Sequence, residues 1–164
     1  VRAAGGTVLW VQTTATGALE HWANHHKHML TTDRVDKRLT QLNEAHDGFK
    51  VYPKLEALPG DLRVKKIKYS AFIPGSSDID AQLKSRGIDT LLITGTVTNV
   101  CCESTARDAM MLDYRVIMVS DGNASLTDAE HAASLNNFLI FFGDVMTTDE
   151  AAARLVPAEQ RKTA

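Results

Sequence analysis

Cys101 has the chemistry and the sequence position expected of a nucleophile. It follows the apolar run at residues 90–94 after a short loop, at the start of the next predicted helix. A thiol at a helix N-terminus loses its proton more readily, because free backbone N–H groups and the helix dipole favour the thiolate. The same N–H groups can hold the oxyanion of an acyl-transfer intermediate. A lone cysteine is otherwise a small core residue, which is our interpretation of Cys102.

Three lysines near the end of another predicted strand are candidates for the group that stabilises this thiolate. Lys65, Lys66 and Lys68 lie at or just after the end of the strand at residues 62–66. An ammonium group beside a thiol lowers the pKa of the thiol by Coulomb attraction. Lysines at a strand end are ordinarily solvated, so the residues alone do not say which of the three serves this role.

The elements that must position these side chains alternate between strands and helices. Strands are predicted from short apolar runs at residues 7–12, 90–94 and 114–120. Two more are predicted at residues 62–66, after the loop at residues 58–61, and at residues 144–147, as a last edge strand. Helices are predicted from helical spacing and end signals at residues 34–44, 78–86, 101–112, 128–142 and 148–155. The alternation predicts an α/β fold with a parallel sheet between helices, and such sheets bind ligands at the carboxyl ends of their strands. The polar segment after Pro157 is expected to fray.

Length and composition indicate one domain over residues 1–164 that binds a small molecule or another protein. The 164 residues are 44% hydrophobic and 23% charged, with a net charge of -2. The charges are scattered, which excludes a basic surface for nucleic acid or anionic lipid, and there is no apolar run of membrane-spanning length. Only two cysteines are present and they are adjacent, which argues against a structural disulfide and favours the cytoplasm. No GxGxxG pattern surrounds Gly95, so no dinucleotide cofactor is expected, and no other cofactor is predicted.

Two segments resemble the isochorismatase-like cysteine hydrolases, a superfamily that contains nicotinamidases, N-carbamoylsarcosine amidases, ureidoacrylate hydrolases and isochorismatases. The segments are KIKYSAF at residues 66–72 and RGIDTLLITGTVTNVCCESTARDA at residues 86–109. The resemblance implies a three-layer α/β/α sandwich with a parallel, Rossmann-like sheet. It also implies a hydrolase that cleaves the C–N bond of a small amide, carbamoyl or ureido substrate through an acyl-enzyme.

The resemblance also assigns roles to individual residues. The family cysteine falls on Cys101, and the family lysine falls on Lys66 rather than Lys68. The cis peptide of the family would lie between Thr96 and Val97. It would turn the N–H of Val97 toward the site, where that N–H would form the oxyanion hole with the N–H of Cys101.

The catalytic Asp of the family has no counterpart in this sequence. In the family it belongs to the first strand, and the residues from Val1 to Gly6 already resemble the end of the first helix. We therefore expect the first strand and helix to lie upstream of Val1. Asp33, Asp36 and Asp47 fall in the wrong part of the predicted fold to replace the missing acid.

Several other residues are predicted to contact substrate or to support the fold. Trp22, Tyr69, Phe72 and Asn99 are candidates for substrate binding, although aromatic residues after a strand are more often packing residues. Asp121, at the end of the strand after the nucleophile helix, is interpreted as mainly structural.

Four histidines have helical spacing but are not predicted to bind a metal. They are His21, His25, His26 and His28. Spacings of three and four residues can place ligands on one helix face, but no clustered carboxylate or cysteine accompanies them, and the metal motif of nicotinamidases is not matched. A structural or surface role is expected.

Two alternative functions remain open at this stage. One is an isochorismatase-type ether hydrolase that releases pyruvate, and the other is a non-catalytic member of the family. Cys101 favours the amidohydrolase, because the isochorismatases do not retain this cysteine. The resemblance also implies a homo-oligomer, a dimer or tetramer, to which the apolar stretch at residues 138–142 is expected to contribute.

Overall fold

The computed structural model describes residues 1–156, which divide into two compact units. Residues 9–79 form one unit, named here the lysine unit because it holds Lys66. Residues 1–8, with the chain from Asp80 onward, form the other, named the cysteine unit because it holds Cys101. The single domain over residues 1–164 remains a prediction, and the predicted fraying after Pro157 lies outside the described residues.

The lysine unit is built on two parallel strands. β1 (Leu9–Thr13) and β2 (Leu62–Lys66) pair over their whole length, so that Thr13 lies opposite Lys66. The chain between them forms α1 (Ala18–His21), a π-helical turn (His25–Met29), α2 (Thr32–Gln41) and a 3-10 turn (Asp47–Phe49). The bounds of β2 are those predicted from the sequence, whereas α1 and both turns were not predicted.

Side chains of β2 alternate between the interior and the surface. Val64 and Lys66 are buried, and Arg63 and Lys65 are exposed. This period of two is that of a strand, whose successive side chains point to opposite faces. It places the last residue of the strand, a lysine, on the buried side.

The cysteine unit contains three parallel strands. These are β3 (Thr90–Thr96), β4 (Arg115–Ala124) and β5 (Asp144–Met146), in the order β3-β4-β5. The helical segments are a 3-10 turn (Arg2–Ala4), α3 (Ile79–Lys84), which spans the boundary of the units, a π-helical turn (Thr98–Cys102), α4 (Glu103–Met111), α5 (Asp128–Phe141) and α6 (Thr148–Ala153). Every strand pair in both units is parallel, which confirms the predicted α/β class with parallel strands. The described strands form one two-stranded and one three-stranded sheet, where the sequence predicts a single sheet.

β4 is longer than the sequence predicts, because a side chain bridges the strands at its end. The sequence Ser-Asp-Gly-Asn-Ala at residues 120–124 is typical of a turn. The side-chain amide of Asn123 instead donates hydrogen bonds to the carbonyl oxygens of Ile93 and Val119, at 2.8 and 2.7 Å. The pairing of β3 and β4 therefore resumes after a shift in register, with Gly95 opposite Asn123.

α5 begins where the sequence predicts. Thr127 and Glu130 form a capping box at its N-terminus, and Phe138 is fully buried. Leu139, Ile140 and Phe141 are exposed. A homo-oligomer remains a prediction.

No helix among residues 1–156 is long and apolar enough to cross a membrane.

Candidate active site

Cys101 lies in the first helical turn after the carboxyl end of β3. The peptide bond between Thr96 and Val97 is cis, at the position where the resemblance predicts one. Val97 is extended, and the π-helical turn that follows continues directly into α4. Cys101 is half-buried and Cys102 is buried. The thiol predicted to be the nucleophile is therefore in the more accessible of the two residues, and it lies in the turn that leads directly into α4.

Gly95 provides the backbone geometry that leads into this turn. Its φ angle is +125°, a conformation that side chains with a Cβ rarely adopt. A Cβ at this position would lie 3.9 Å from the sulfur of Cys102. The glycine is thus required for its backbone conformation rather than by crowding.

Two side-chain hydrogen bonds hold the turn that carries Cys101. The hydroxyl of Thr98, which is fully buried, lies 2.8 Å from Nδ1 of His131 on α5. The hydroxyl of Ser125 donates to the side-chain oxygen of Asn99 at 2.5 Å. Asn99 thus braces the loop, and its predicted contact with substrate remains a prediction.

A charged network fixes the next turn of the same helix. Arg107 forms an ion pair with Glu103 one turn earlier, and the hydroxyl of Ser134 on α5 donates to the other oxygen of Glu103. The guanidinium carbon of Arg107 lies 4.0 Å from the ring centroid of Phe142, within the range of a cation–π contact. Glu103 is therefore held by both helices, which links α4 to α5.

In the lysine unit, the structure separates the three candidate lysines. Lys66 is only 4% exposed, and its ammonium group donates to the carbonyl oxygen of Lys68 at 3.0 Å. Lys65 forms an ion pair with Glu44 at the surface, and the ammonium group of Lys68 donates to the carbonyl oxygen of Pro74. Burial of an ammonium group is costly unless other groups compensate for lost water, so Lys66 is the unusual member of the three.

The loop after Lys66 is tied together by serine side chains. The hydroxyl of Ser76 donates to the carbonyl oxygen of Ser70 at 2.6 Å and accepts from the backbone N–H of Lys68 at 3.2 Å. Phe72 is buried in this loop, and its backbone N–H donates to the hydroxyl of Ser70. These bonds fix the segment that holds Lys66 and leave the side chain of Tyr69 38% exposed.

Tyr69 and Trp22, both predicted substrate contacts, meet in one aromatic cluster. Their rings cross nearly at right angles with centroids 4.7 Å apart. His25 stacks on Trp22 at 3.9 Å, and His26, through Nδ1, lies 3.0 Å from the carbonyl oxygen of Trp22. The cluster of Trp22, His25, His26 and Tyr69 is called the Trp22 cluster below.

The predicted histidine group does not act as one unit. His25 and His26 are buried in the Trp22 cluster, whereas His21 and His28 are exposed. Among residues 1–156, no three His, Cys, Asp or Glu side chains are grouped so that they could hold a metal ion.

Asp121 has a structural position at the start of α6. Its carboxylate accepts hydrogen bonds from the backbone N–H and the hydroxyl of Thr148, at 2.7 and 2.8 Å. These bonds lower the pKa of Asp121 below its usual value. They agree with its interpretation as a mainly structural acid.

Sequence reasoning missed two side chains that contact predicted site residues. His131 braces the nucleophile turn through Thr98, and the guanidinium carbon of Arg38 lies 5.9 Å from the ring centroid of Trp22. Both partners are distant in sequence, so no local pattern marks them.

The predicted catalytic and oxyanion-hole residues are divided between the two units. Val97, Asn99 and Cys101 share one turn of the cysteine unit, and Lys66 belongs to the lysine unit.

Comparison with known proteins decides the family. A profile of the isochorismatase domain matches residues 1–150. The chain belongs to the isochorismatase family. This confirms the superfamily that the two sequence segments predict.

Isochorismatase-family relatives include enzymes named for amide cleavage. Ureidoacrylate amidohydrolase RutB from Variovorax paradoxus (strain S110) is 37% identical over 137 residues, which are 82% of this chain and 54% of that protein. Its counterpart from Caulobacter vibrioides (strain ATCC 19089 / CIP 103742 / CB 15) is 34% identical over 158 residues, or 90% of this chain and 68% of that protein. The chain thus spans about half the length of the first of these relatives.

A solved structure supports the same family at the level of the fold. The crystal structure of a cysteine hydrolase from Pseudomonas syringae pv. phaseolicola 1448A matches with a TM-score of 0.82 and 31% identity, over 94% of this chain and 74% of that one. The match confirms the predicted isochorismatase-like α/β fold class.

Proposed function

We propose that this chain carries the nucleophile and the lysine of a cysteine-dependent hydrolase. The enzyme cleaves the carbon–nitrogen bond of a small amide, carbamoyl or ureido substrate through an acyl-enzyme. Family membership and the two relatives named ureidoacrylate amidohydrolase support amide cleavage. Because the chain spans only 54% of the Variovorax relative, the activity of the whole protein is part of the proposal.

The position of Cys101 carries the proposal. Cys101 is half-buried in the first helical turn after β3. His131 on α5 and Ser125 hold this turn through hydrogen bonds to Thr98 and Asn99. Residues after the carboxyl end of a parallel strand are where α/β proteins bind their ligands. Cys102, one residue later, is buried and offers a matched comparison.

Lys66 is assigned the role of the lysine that stabilises the thiolate. It lies at the carboxyl end of its own parallel strand, and it is the one buried lysine among the three candidates. A buried ammonium group acts on nearby charge more strongly than a solvated one, because less water screens it. The assignment follows the family motif and the burial of this side chain.

The proposed reaction proceeds in two stages. The thiol of Cys101 gives its proton to a general base, and the sulfur attacks the carbonyl carbon to form a tetrahedral oxyanion. We assign the oxyanion hole to the backbone N–H groups of Val97 and Cys101, each worth about 3 kcal/mol in comparable enzymes. The C–N bond then breaks, and the leaving nitrogen takes the proton. Water hydrolyses the thioester, which releases the acid and restores the thiol. We assign the base to no residue of this chain.

Ammonia release tests the proposal. The full-length protein is incubated with a panel of small primary amides and ureido acids, beside the variants Cys101→Ala and Cys102→Ala. We expect Cys101→Ala to lose at least about a thousandfold in turnover, because the nucleophile is gone, and Cys102→Ala to keep most of it.

Three results would contradict the proposal. If the Cys101→Ala variant still releases ammonia at the normal rate, Cys101 is not the nucleophile. Release of pyruvate from isochorismate, without ammonia from the panel, would establish the ether hydrolase instead. Silence in both assays would favour a non-catalytic member of the family.

A further inference from the structure

The side chain of Asn123 lies inside the cysteine unit, at the point where the pairing of β3 and β4 shifts in register. Asn123 is 8% exposed, and its amide nitrogen donates to the carbonyl oxygens of Ile93 on β3 and Val119 on β4, at 2.8 and 2.7 Å. Both partners are acceptors, so the nitrogen of the amide must face them. One buried side chain therefore bridges the two strands where the register shifts, between Ile93 and Gly95.

The pairing that resumes after this bridge leads to the backbone assigned to the oxyanion hole. Gly95 lies opposite Asn123, and Thr96 lies opposite Ala124. Val97 follows directly after the last residue of β3. The position of the Val97 N–H thus depends on these last two pairs of the strands, and the first of them contains Asn123.

Close packing beside Asn123 restricts the same segment. A Cβ at Gly122 would lie 3.1 Å from Cγ2 of Thr94 and 3.1 Å from Cγ1 of Val119. These distances are shorter than ordinary contacts between carbon atoms, so the backbone of Gly122 already lies against both side chains. The end of β4 therefore has little room to move relative to β3.

The amide of Asn123 contributes little to stability as a whole. Its Oδ1 is buried and forms no hydrogen bond within the described part of the chain. Burial of one unpaired acceptor is unfavourable by about as much as two ordinary hydrogen bonds are favourable. What the amide provides, and an apolar side chain of similar size would not, is a pair of bonds that fix one strand against the other.

We propose that Asn123 is a positioning residue that aims the N–H of Val97 into the oxyanion hole. This inference rests on the proposed function and adds to it a residue that does not touch the substrate. Attack by the sulfur of Cys101 places negative charge on the carbonyl oxygen of the substrate. A donor stabilises that charge only when it points at the position that the oxyanion will occupy. The bridge from Asn123 keeps the end of β3 in the arrangement that this aim requires.

Two reactions of Cys101 distinguish the oxyanion hole from the nucleophile. Amide hydrolysis needs both, whereas alkylation by iodoacetamide displaces iodide and forms no oxyanion. Full-length Asn123→Leu nearly keeps the volume of the side chain and removes both donated bonds. For an amide from the ammonia-release panel, we expect kcat to fall at least about thirtyfold and KM to change less than about threefold. The rate of alkylation of Cys101, followed by peptide mapping, should also change less than about threefold.

Three further variants exclude general damage to the fold. Asn123→Ala removes the same two bonds without adding bulk, and it should show the same pattern. Asn136→Leu makes the same chemical change at an exposed position on α5 and should leave kcat and alkylation unchanged. Val116→Ala removes part of a buried side chain near the opposite end of β4, so it lowers stability. Its kcat should nevertheless change less than about threefold.

Hydrogen exchange without substrate tests the positioning independently of turnover. We expect Asn123→Leu to accelerate exchange of the backbone N–H groups of residues 95–97 at least about tenfold, and Asn136→Leu to leave it unchanged. Unchanged exchange and kcat in Asn123→Leu, or losses of kcat and alkylation by the same factor, would overturn the proposal while amide cleavage stands. Accelerated exchange in a protein that hydrolyses no amide would support the positioning by Asn123 and refute the proposed function.

Discussion

The bond between Thr98 and His131 offers the sharpest test of how the fold positions Cys101. Thr98→Val keeps the shape of a fully buried side chain and removes the hydroxyl that lies 2.8 Å from Nδ1 of His131. Loss of one such bond, with its partner left unpaired, costs about 1 to 2 kcal/mol in the free energy of unfolding. Cys101 lies three residues later on the same turn. A displacement of about 1 Å at a reacting group can cost about a hundredfold in rate, so we expect kcat for amide hydrolysis to fall by tenfold or more.

A double-mutant cycle separates this bond from general damage. Urea unfolding and kcat are measured for Thr98→Val, His131→Leu and the double variant. We expect a coupling energy of about 1 kcal/mol, because each single change removes the same bond. Thr90→Val makes the same chemical change at the exposed start of β3 and should leave kcat unchanged. Strict additivity, or a Thr98→Val enzyme with full stability and rate, would refute the reasoning.

Two further predictions concern Lys66 and Tyr114. Lys66→Met keeps the length of a buried side chain but removes its charge, so we expect turnover to fall at least about a hundredfold, whereas Lys65→Met, at the surface, should change turnover less than about threefold. Burial is the larger cause that raises the pKa of Tyr114 from 10.0 to about 12, and the hydrogen bond from Tyr114 to the carboxylate of Asp80 contributes to the same rise. Folding thus favours the neutral phenol, and its contribution to stability is complete below pH 10 and lost as the pH rises from 10.0 toward 12. Ultraviolet titration should show one tyrosine ionising last, and Tyr114→Phe should abolish that step; a titration unchanged in Tyr114→Phe would contradict the assignment.

Local patterns predicted the strands and the helices other than α1, because each of these elements carries its own signal. β2 follows the Gly60–Asp61 turn and shows the alternation of a half-buried strand, and its observed bounds equal the predicted ones. α5 begins at a capping box that the sequence displays. The predicted strand ends at residue 120, whereas β4 continues to Ala124. Its polar end has the composition of a turn, and only the structure shows that the side chain of Asn123 forms hydrogen bonds to the backbone of both strands.

Local patterns could not predict contacts between residues that are far apart in the sequence. The Cys101 segment was recognisable from its motif, but its bond from Thr98 to His131 joins residues 33 positions apart. In the sequence, Arg38 does not differ from the other charged residues of a solvated helix. Only the structure shows that its guanidinium lies near the ring of Trp22. Burial of Lys66 likewise depends on the pairing of β2 with β1, which the sequence does not specify.

Trapping of the acyl-enzyme tests the central claim most directly. Turnover of an amide substrate by the full-length protein is stopped with acid, and the protein is analysed by intact mass and by peptide mapping. The account predicts an acyl adduct on Cys101 that Cys101→Ala abolishes and Cys102→Ala retains. Turnover at the normal rate with no adduct on Cys101, or an adduct found on Cys102 instead, would contradict it.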